Sequence, residues 1–105
     1  MKRPESIVVL GQRFTVHWEP YDAGLLNEPD KAGRTDLMQQ VMHIRQGAGF
    51  HQTRETVLHE LIHVCLNLVS SREHDEELVA GLAPVLLELL RRDGQLMDWL
   101  REPDE

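Results

Sequence analysis

The chain has 105 residues, of which 41% are hydrophobic and 28% charged, the size and composition of one globular domain. Its 18 acidic residues outnumber the 11 basic ones and give a formal net charge of -7. This balance disfavours nucleic acid as a partner, because non-specific binding needs a basic surface. No apolar run approaches the roughly 20 residues that span a bilayer, and the only apolar run near the N-terminus is Ile7–Leu10, so we expect neither a membrane anchor nor a signal peptide. The single cysteine, Cys65, fits a reducing compartment, and we expect a cytoplasmic protein.

The first half of the chain, residues 1–50, has the pattern of β-strands. Ile7-Val8-Val9-Leu10 is apolar and mostly β-branched, and Gly11 then offers a turn. After the turn, apolar and polar residues alternate, with the larger apolar side chains at Phe14, Val16 and Trp18. The pattern predicts a β-hairpin in which these three side chains share one face.

An irregular loop is predicted next, over residues 19–31, because this segment contains two prolines and several charges. Residues 33–45 then predict a second hairpin, with its turn around Asp36–Gln39 and a strand at Val41–Arg45. The Met, Gln and Leu residues of this segment also suit a helix, so a helix over Asp36–Arg45 is the alternative.

The second half of the chain, residues 51–105, is predicted to be helical. Gln52 or Thr53 can begin a helix, and across Val57–Val69 all but four positions are apolar. A helix that is apolar on nearly all sides is usually buried on most of them, so we expect this one at the centre of the fold. Cys65 lies on one of its apolar faces and is expected to be a small buried side chain.

A second helix is predicted from about His74 to Asp93, after a break at Ser70-Ser71-Arg72. Gly94 should end it, and Pro84 should bend it because proline removes a backbone hydrogen bond. Residues 95–101 predict a further short amphipathic turn. The hairpins and helices together predict a single α+β domain, in which a small, mostly antiparallel sheet packs on the first helix.

The segment His59-Glu60-Leu61-Ile62-His63 is the most informative about chemistry. Residues four apart share one face of a helix, so the imidazoles of His59 and His63 can bind the same metal ion. Two imidazoles at this spacing suit tetrahedral zinc. Glu60 lies close enough to hold a water molecule but is turned too far to be a ligand. This HExxH arrangement predicts a hydrolytic zinc site with Glu60 as general base.

A catalytic zinc site normally has three protein ligands, so a third is expected from a segment that packs across the motif helix. The candidates near the start of the second helix are His74, Asp75, Glu76 and Glu77. The apolar stripe of that helix consists of Val79, Leu82, Leu86 and Leu89. One turn before the stripe lie positions 75 and 76, whereas Glu77 projects about a quarter-turn away. The stripe therefore favours Glu76, with Glu77 as the next candidate.

The motif followed by a glutamate on the next helix resembles the gluzincin branch of zinc metallopeptidases. The segment Glu76-Glu77-Leu78-Val79-Ala80-Gly81-Leu82-Ala83 with Leu86-Leu87 is similar to the glutamate helix of the ImmA-like peptidases. In that helix the ligand glutamate precedes small residues, an apolar-Ala pair and paired leucines, so matching Leu82-Ala83 to the pair also selects Glu76. The layout, including Gly33-Arg34-Thr35-Asp36, also resembles very short HExxH proteins encoded by bacteriophages.

The resemblance implies a minimal zincin fold and a zinc-dependent peptidase that hydrolyses a peptide or protein substrate. Zn²⁺ would be held by His59, His63 and Glu76, and Glu60 would take a proton from the zinc-bound water and pass it to the leaving group.

In gluzincins, a strand edge beside the motif helix binds the substrate backbone by strand addition. If Val41–Arg45 is that edge, His43 or Arg45 would lie over the cleft. Otherwise we expect both side chains to face solvent.

The sequence departs from the family pattern at three points. Ala80 stands where many gluzincins have an Asp or Asn that orients a histidine ligand, and no Tyr or His follows His74 to stabilise an oxyanion. Only twelve residues separate His63 from Glu76. These departures favour an alternative, in which the protein is a catalytically weak or inactive zinc-binding regulatory or interaction protein of phage origin.

Overall fold

The computed structural model describes residues 3–20, 32–69 and 74–103. In chain order its elements are β1 (Ser6–Val9), β2 (Gln12–Glu19), β3 (Gly33–Asp36), β4 (Val41–Arg45), α1 (Phe50–Val69), α2 (Glu76–Arg92) and α3 (Gly94–Arg101). The fold is α+β, as the sequence predicts, and both predicted hairpins are present. The alternative prediction of a helix over Asp36–Arg45 is wrong, because this segment forms the turn and the second strand of the hairpin. Most of the predicted loop, at residues 21–31, and the predicted break at 70–72 lie outside the described residues.

The turns of the two hairpins are set by local backbone chemistry. Leu10 and Gly11 both have positive φ, at 48° and 79°, the backbone conformation that joins two antiparallel strands through a two-residue loop. In the second hairpin, Oδ1 of Asp36 accepts hydrogen bonds from the backbone N–H groups of Met38 at 3.1 Å and Gln39 at 3.0 Å. An acidic side chain that caps its own turn in this way fixes the reversal between β3 and β4.

The strand order is β1-β2-β4-β3. β1 pairs with β2 and β3 with β4 in antiparallel fashion, whereas β2 and β4 are parallel, with Val16 opposite Met42 and Trp18 opposite Ile44. The sheet is therefore mostly antiparallel, as predicted. Among the described strands, β4 lies inside the sheet and β1 and β3 are its two edges, so the expectation that Val41–Arg45 is the edge strand is wrong.

The main core lies between the sheet and α1. Phe14 and Val16 of β2, Met42 and Ile44 of β4, and Val64 of α1 form one buried cluster. The predicted alternation of β2 is confirmed, because Phe14 and Val16 point to the helix and Trp18 packs against the same cluster.

The α1 helix is less buried than the sequence predicts. It begins at Phe50, slightly before the predicted start, and its buried residues are Glu60, Ile62 and Val64. Cys65 is exposed, so the expectation that it is a buried small side chain is wrong. Among the described elements, the sheet covers one side of α1 and α2 covers another, and the rest of the α1 surface is not covered. The apolar composition of α1 does not reveal which sides are covered.

The helix α2 packs on α1 through Ile62, Val79 and Ala83. The predicted inner stripe is correct at Val79 and in part at Leu86, which packs half-buried against this cluster, but wrong at Leu82 and Leu89, which are 40% and 44% exposed. The buried row is instead Val79, Ala83 and Leu87. This row repeats every four residues, so Ala83 rather than Leu82 lies in the contact with α1.

The ends of the last two helices are capped by aspartates. Asp75 caps α2 by accepting the N–H of Leu78 at 3.1 Å, and Asp93 caps α3 by accepting the N–H of Leu96 at 2.9 Å. Pro84 lies inside α2, as the sequence predicts. None of the helices in the described parts of the chain is both long enough and apolar enough to cross a membrane.

Candidate metal centre

Three of the predicted site residues meet at the junction of α1 and α2. One turn of α1 separates His59 from His63, and their ring centroids are 5.1 Å apart. Nε2 of His59 lies 2.5 Å from Oε1 of Glu76, and Nε2 of His63 lies 3.0 Å from Oε2 of the same carboxylate. One ligand atom from each residue lies within 4.8 Å of the others, so the three side chains converge on a single point.

The other three candidates for the third ligand are placed differently. The carboxylate of Asp75 caps α2, Glu77 is exposed in the first turn of that helix, and His74 contacts the opposite nitrogen of His63. Of the four candidates, Glu76 is the residue whose carboxylate reaches both Nε2 atoms.

The donor set fits zinc. Two imidazole nitrogens and one carboxylate are the ligands of many catalytic zinc sites, and metal–ligand bonds of about 2.0–2.2 Å put tetrahedral ligand atoms roughly 3.4 Å apart. The two nitrogen–oxygen separations to Glu76, 2.5 and 3.0 Å, are somewhat shorter than that value, so an ion would need the carboxylate to move outward by less than about 1 Å. Burial raises the pKa of Glu76, but its hydrogen bonds and charge interactions with His63 and His59 together outweigh that effect, so the net shift of the pKa is downward. Glu76 is therefore ionised at neutral pH, the form that binds a cation.

His74 has a role that sequence reasoning missed. Its Nδ1 lies 2.7 Å from Nδ1 of His63, and the planes of the two rings are within 17° of parallel. If Nε2 of His63 binds a cation, Nδ1 carries the proton and donates it to Nδ1 of His74. His74 thus supplies, from the segment before α2, the orienting contact that Ala80 cannot provide.

We expect His74→Ala to weaken zinc binding by about 10–100-fold, the usual effect of losing a partner that orients a histidine ligand. Zinc affinity measured by competition with a chromophoric chelator checks this. His51→Ala, which removes an exposed histidine of α1, is the control and should leave the affinity unchanged. Equal affinities for wild type and His74→Ala would show that the contact does not orient His63.

Glu60 is buried beside this cluster and is not part of it. Its side chain is in the part of α1 that faces the sheet, and it is 7% exposed. The hydroxyl of Thr35 on β3 donates to Oε1 of Glu60 at 2.7 Å. This hydrogen bond holds the Glu60 carboxylate in place and leaves it free lone pairs that can accept from a water molecule. In the sequence, Thr35 was named only as part of Gly33-Arg34-Thr35-Asp36. Strand alternation puts Thr35 on the same face of β3 as Gly33, and this pattern could have indicated that its side chain faces the motif helix.

A cleft of about 670 Å³ contains these groups. Its walls come from β3 and the preceding residue, from α1, and from the segment that begins α2. The lining residues are Ala32, Gly33, Arg34, Thr35, Leu37, Gln52, Glu55, Thr56, His59, Glu60, His63, His74 and Glu76. The edge strand β3 therefore runs directly beside the motif helix.

Gly33 allows this close approach of β3 to α1. A Cβ at position 33 would lie 2.9 Å from Cγ2 of Thr56, 3.3 Å from Cγ of Glu60 and 3.3 Å from the backbone oxygen of His43. The space is bounded by backbone as well as by side chains, so a larger residue cannot be accommodated without moving the strand or the helix.

We expect Gly33→Ala to lower the free energy of unfolding by about 1–3 kcal/mol, the usual effect of overpacking a tight contact. Urea denaturation checks this. Gly81→Ala is the matched control, since nothing lies within 4 Å of a Cβ at that helical position. It should be neutral or raise the free energy of unfolding by up to about 1 kcal/mol. A neutral Gly33→Ala would contradict the close packing.

The expectation for His43 and Arg45 is wrong. Neither residue lines the cleft. His43 alternates with Met42 and Ile44 on β4 and therefore points to the face of the sheet opposite α1, where it is 7% exposed rather than facing solvent. Arg45 is half-buried and shares that face by the same alternation.

Comparisons with protein-family models, with curated proteins and with solved structures found no match for this chain. The interpretation of the site therefore rests on its own residues and geometry.

Proposed function

We propose that the protein is a zinc-dependent peptidase whose metal ligands are His59, His63 and Glu76. The observation that supports this most strongly is the convergence of two Nε2 atoms on the Glu76 carboxylate, at 2.5 and 3.0 Å, next to a buried glutamate in the same cleft. The donor set and the position of Glu60 directly after a histidine ligand are the arrangement that metal-assisted peptide hydrolysis needs.

Zinc in this position would polarise the scissile carbonyl and acidify a water molecule. The chain's own contribution is proton transfer at Glu60. The hydroxyl of Thr35 holds the Glu60 carboxylate through Oε1 at 2.7 Å, and this carboxylate would take a proton from the water. Glu60 then donates that proton to the nitrogen of the leaving amine, so that the same carboxylate acts as base and as acid.

The edge strand β3 would bind the substrate. β3 pairs with β4 on one side, and its other side borders the cleft. An extended peptide could add to that side of β3, which pairs with no other described strand, through backbone hydrogen bonds that would hold its scissile bond along α1. This mode requires no deep pocket, and it suits a protein or peptide substrate in the cytoplasm.

Glu60→Gln tests the proposal. We expect zinc content and melting temperature to stay at wild-type values, while hydrolysis of a fluorescence-quenched peptide library falls by about 10²–10⁴-fold, the contribution of a general base. Glu55→Gln is the matched control, because Glu55 is a second glutamate of α1 that lines the same cleft. It should retain wild-type hydrolysis. Equal hydrolysis by wild type and Glu60→Gln would refute the assigned role.

A zinc-binding interaction protein without turnover is the second candidate. The observation that favours it is that no Tyr or His follows Glu76 in the chain to stabilise an oxyanion. In this case wild type and Glu60→Gln would bind zinc equally and neither would cleave any peptide of the library. The phage-encoded origin implied by the resemblance fits either candidate.

A further inference from the structure

A second histidine and glutamate cluster lies on the face of the sheet opposite α1. His17 and Glu19 are two residues apart on β2 and therefore point to the same side, and His43 lies opposite His17 in the parallel register of β4. Nδ1 of His43 is 3.0 Å and Nε2 of His17 is 3.7 Å from Oε1 of Glu19. One ligand atom from each of the three residues lies within 4.8 Å of the others.

The burial of this cluster is uneven. Glu19 and His43 are 5% and 7% exposed, whereas the side chain of His17 is 58% exposed. A carboxylate buried to this degree needs compensation by positive charge or by hydrogen bonds. Here two imidazole nitrogens approach one of its oxygens, and the exposed His17 leaves a path from solvent to the cluster.

We propose that His17, Glu19 and His43 form a second binding site for a divalent transition-metal ion such as Zn²⁺, separate from the cleft. Imidazole and carboxylate are ligands that zinc accepts, and the separations of 3.0 and 3.7 Å surround the roughly 3.4 Å expected between tetrahedral ligands. His43 would coordinate through Nδ1 and His17 through Nε2. The ion would cross-link β2 to β4 in the middle of the sheet.

The charges around this site make it weaker than the cleft site. Arg34 and Arg45 are the cross-strand neighbours of His43 and Glu19 in the sheet register, so both lie on the same face. Their positive charge opposes cation binding. We therefore expect the second metal equivalent to bind with at least about ten-fold lower affinity than the first.

Metal titration separates the two sites. In a His59→Ala/His63→Ala variant, which lacks both cleft imidazoles, we expect one equivalent of Co²⁺ to bind with the visible absorption of a tetrahedral ion. We also expect added Zn²⁺ to raise the melting temperature of this variant, because an ion that binds the folded state stabilises it. Adding His17→Ala should abolish both effects. This substitution removes an exposed side chain and should leave the fold intact.

His51→Ala is the matched control in the same double variant. Nε2 of His51 lies 3.7 Å from Oε2 of Glu55, the same separation as in the His17–Glu19 pair, but it belongs to no cluster of three ligands in the described part of the chain. Binding should survive this change. Absence of metal binding in the double variant, or binding that persists without His17, overturns the proposal. Neither result bears on the cleft site, because that site is tested separately by the zinc content and peptide hydrolysis of the wild-type protein.

Discussion

Glu76→Ala is expected to weaken zinc binding at the cleft by more than about 100-fold, beyond the 10–100-fold attributed to the loss of an orienting partner. The reason is geometric, because both oxygens of this one carboxylate face the Nε2 atoms of His59 and His63. Without this carboxylate, only the two imidazoles of His59 and His63 remain as ligands, on one face of α1. Metal analysis after dialysis against a weak chelator measures the effect, and peptide hydrolysis should be lost together with the metal.

Glu77→Ala is the control for this prediction. Glu77 follows Glu76 in the first turn of α2, carries the same charge and is exposed, so its removal changes the electrostatics of the helix terminus but not the ligand set. We expect the zinc affinity of the Glu77→Ala variant to stay within a few-fold of the wild-type affinity. If Glu77→Ala loses zinc and Glu76→Ala keeps it, the ligand assignment is wrong.

Phe14→Ala is expected to lower the free energy of unfolding by about 3–5 kcal/mol, the usual result of truncating a buried phenylalanine. Phe14 is 2% exposed and contributes to the cluster formed with Val16, Met42, Ile44 and Val64. The total stability of a chain of this length is about 5–15 kcal/mol, so this one change removes a large share of it. Urea denaturation followed by circular dichroism measures the loss.

Phe50→Ala removes the same side chain from the surface. Phe50 begins α1 and is 77% exposed, so its truncation should cost under about 1 kcal/mol. Similar losses at positions 14 and 50 would contradict the position of the core between the sheet and α1.

Local patterns were predictable wherever short-range chemistry decides the structure. The hairpin turns follow from Gly11 and Asp36, whose preferences act over a few residues. The start of α2 follows from Asp75, and the shared face of His59 and His63 follows from helical periodicity alone. These features require no knowledge of what packs against them.

Burial was harder to predict than periodicity. Leu82 is more apolar than Ala83, yet Ala83 is buried because it lies on the side of α2 that packs against Ile62 of α1, and Leu82 does not. Cys65 is exposed for a related reason, since the elements described here do not cover that side of α1. Composition indicates what could be buried, and the neighbouring elements determine what is.

The sequence by itself determined the two hairpins, the motif helix with its paired imidazoles, and Glu76 as the favoured candidate one turn before the apolar row of α2. Tertiary structure alone decided that β3 is an edge strand, that Thr35 contacts Glu60 across 25 residues, and that Glu19 contacts His43 across 24. The physical reason is that helix periodicity and turn chemistry act between near neighbours in the chain. Strand order and contacts between distant residues depend on how the whole sheet packs against α1.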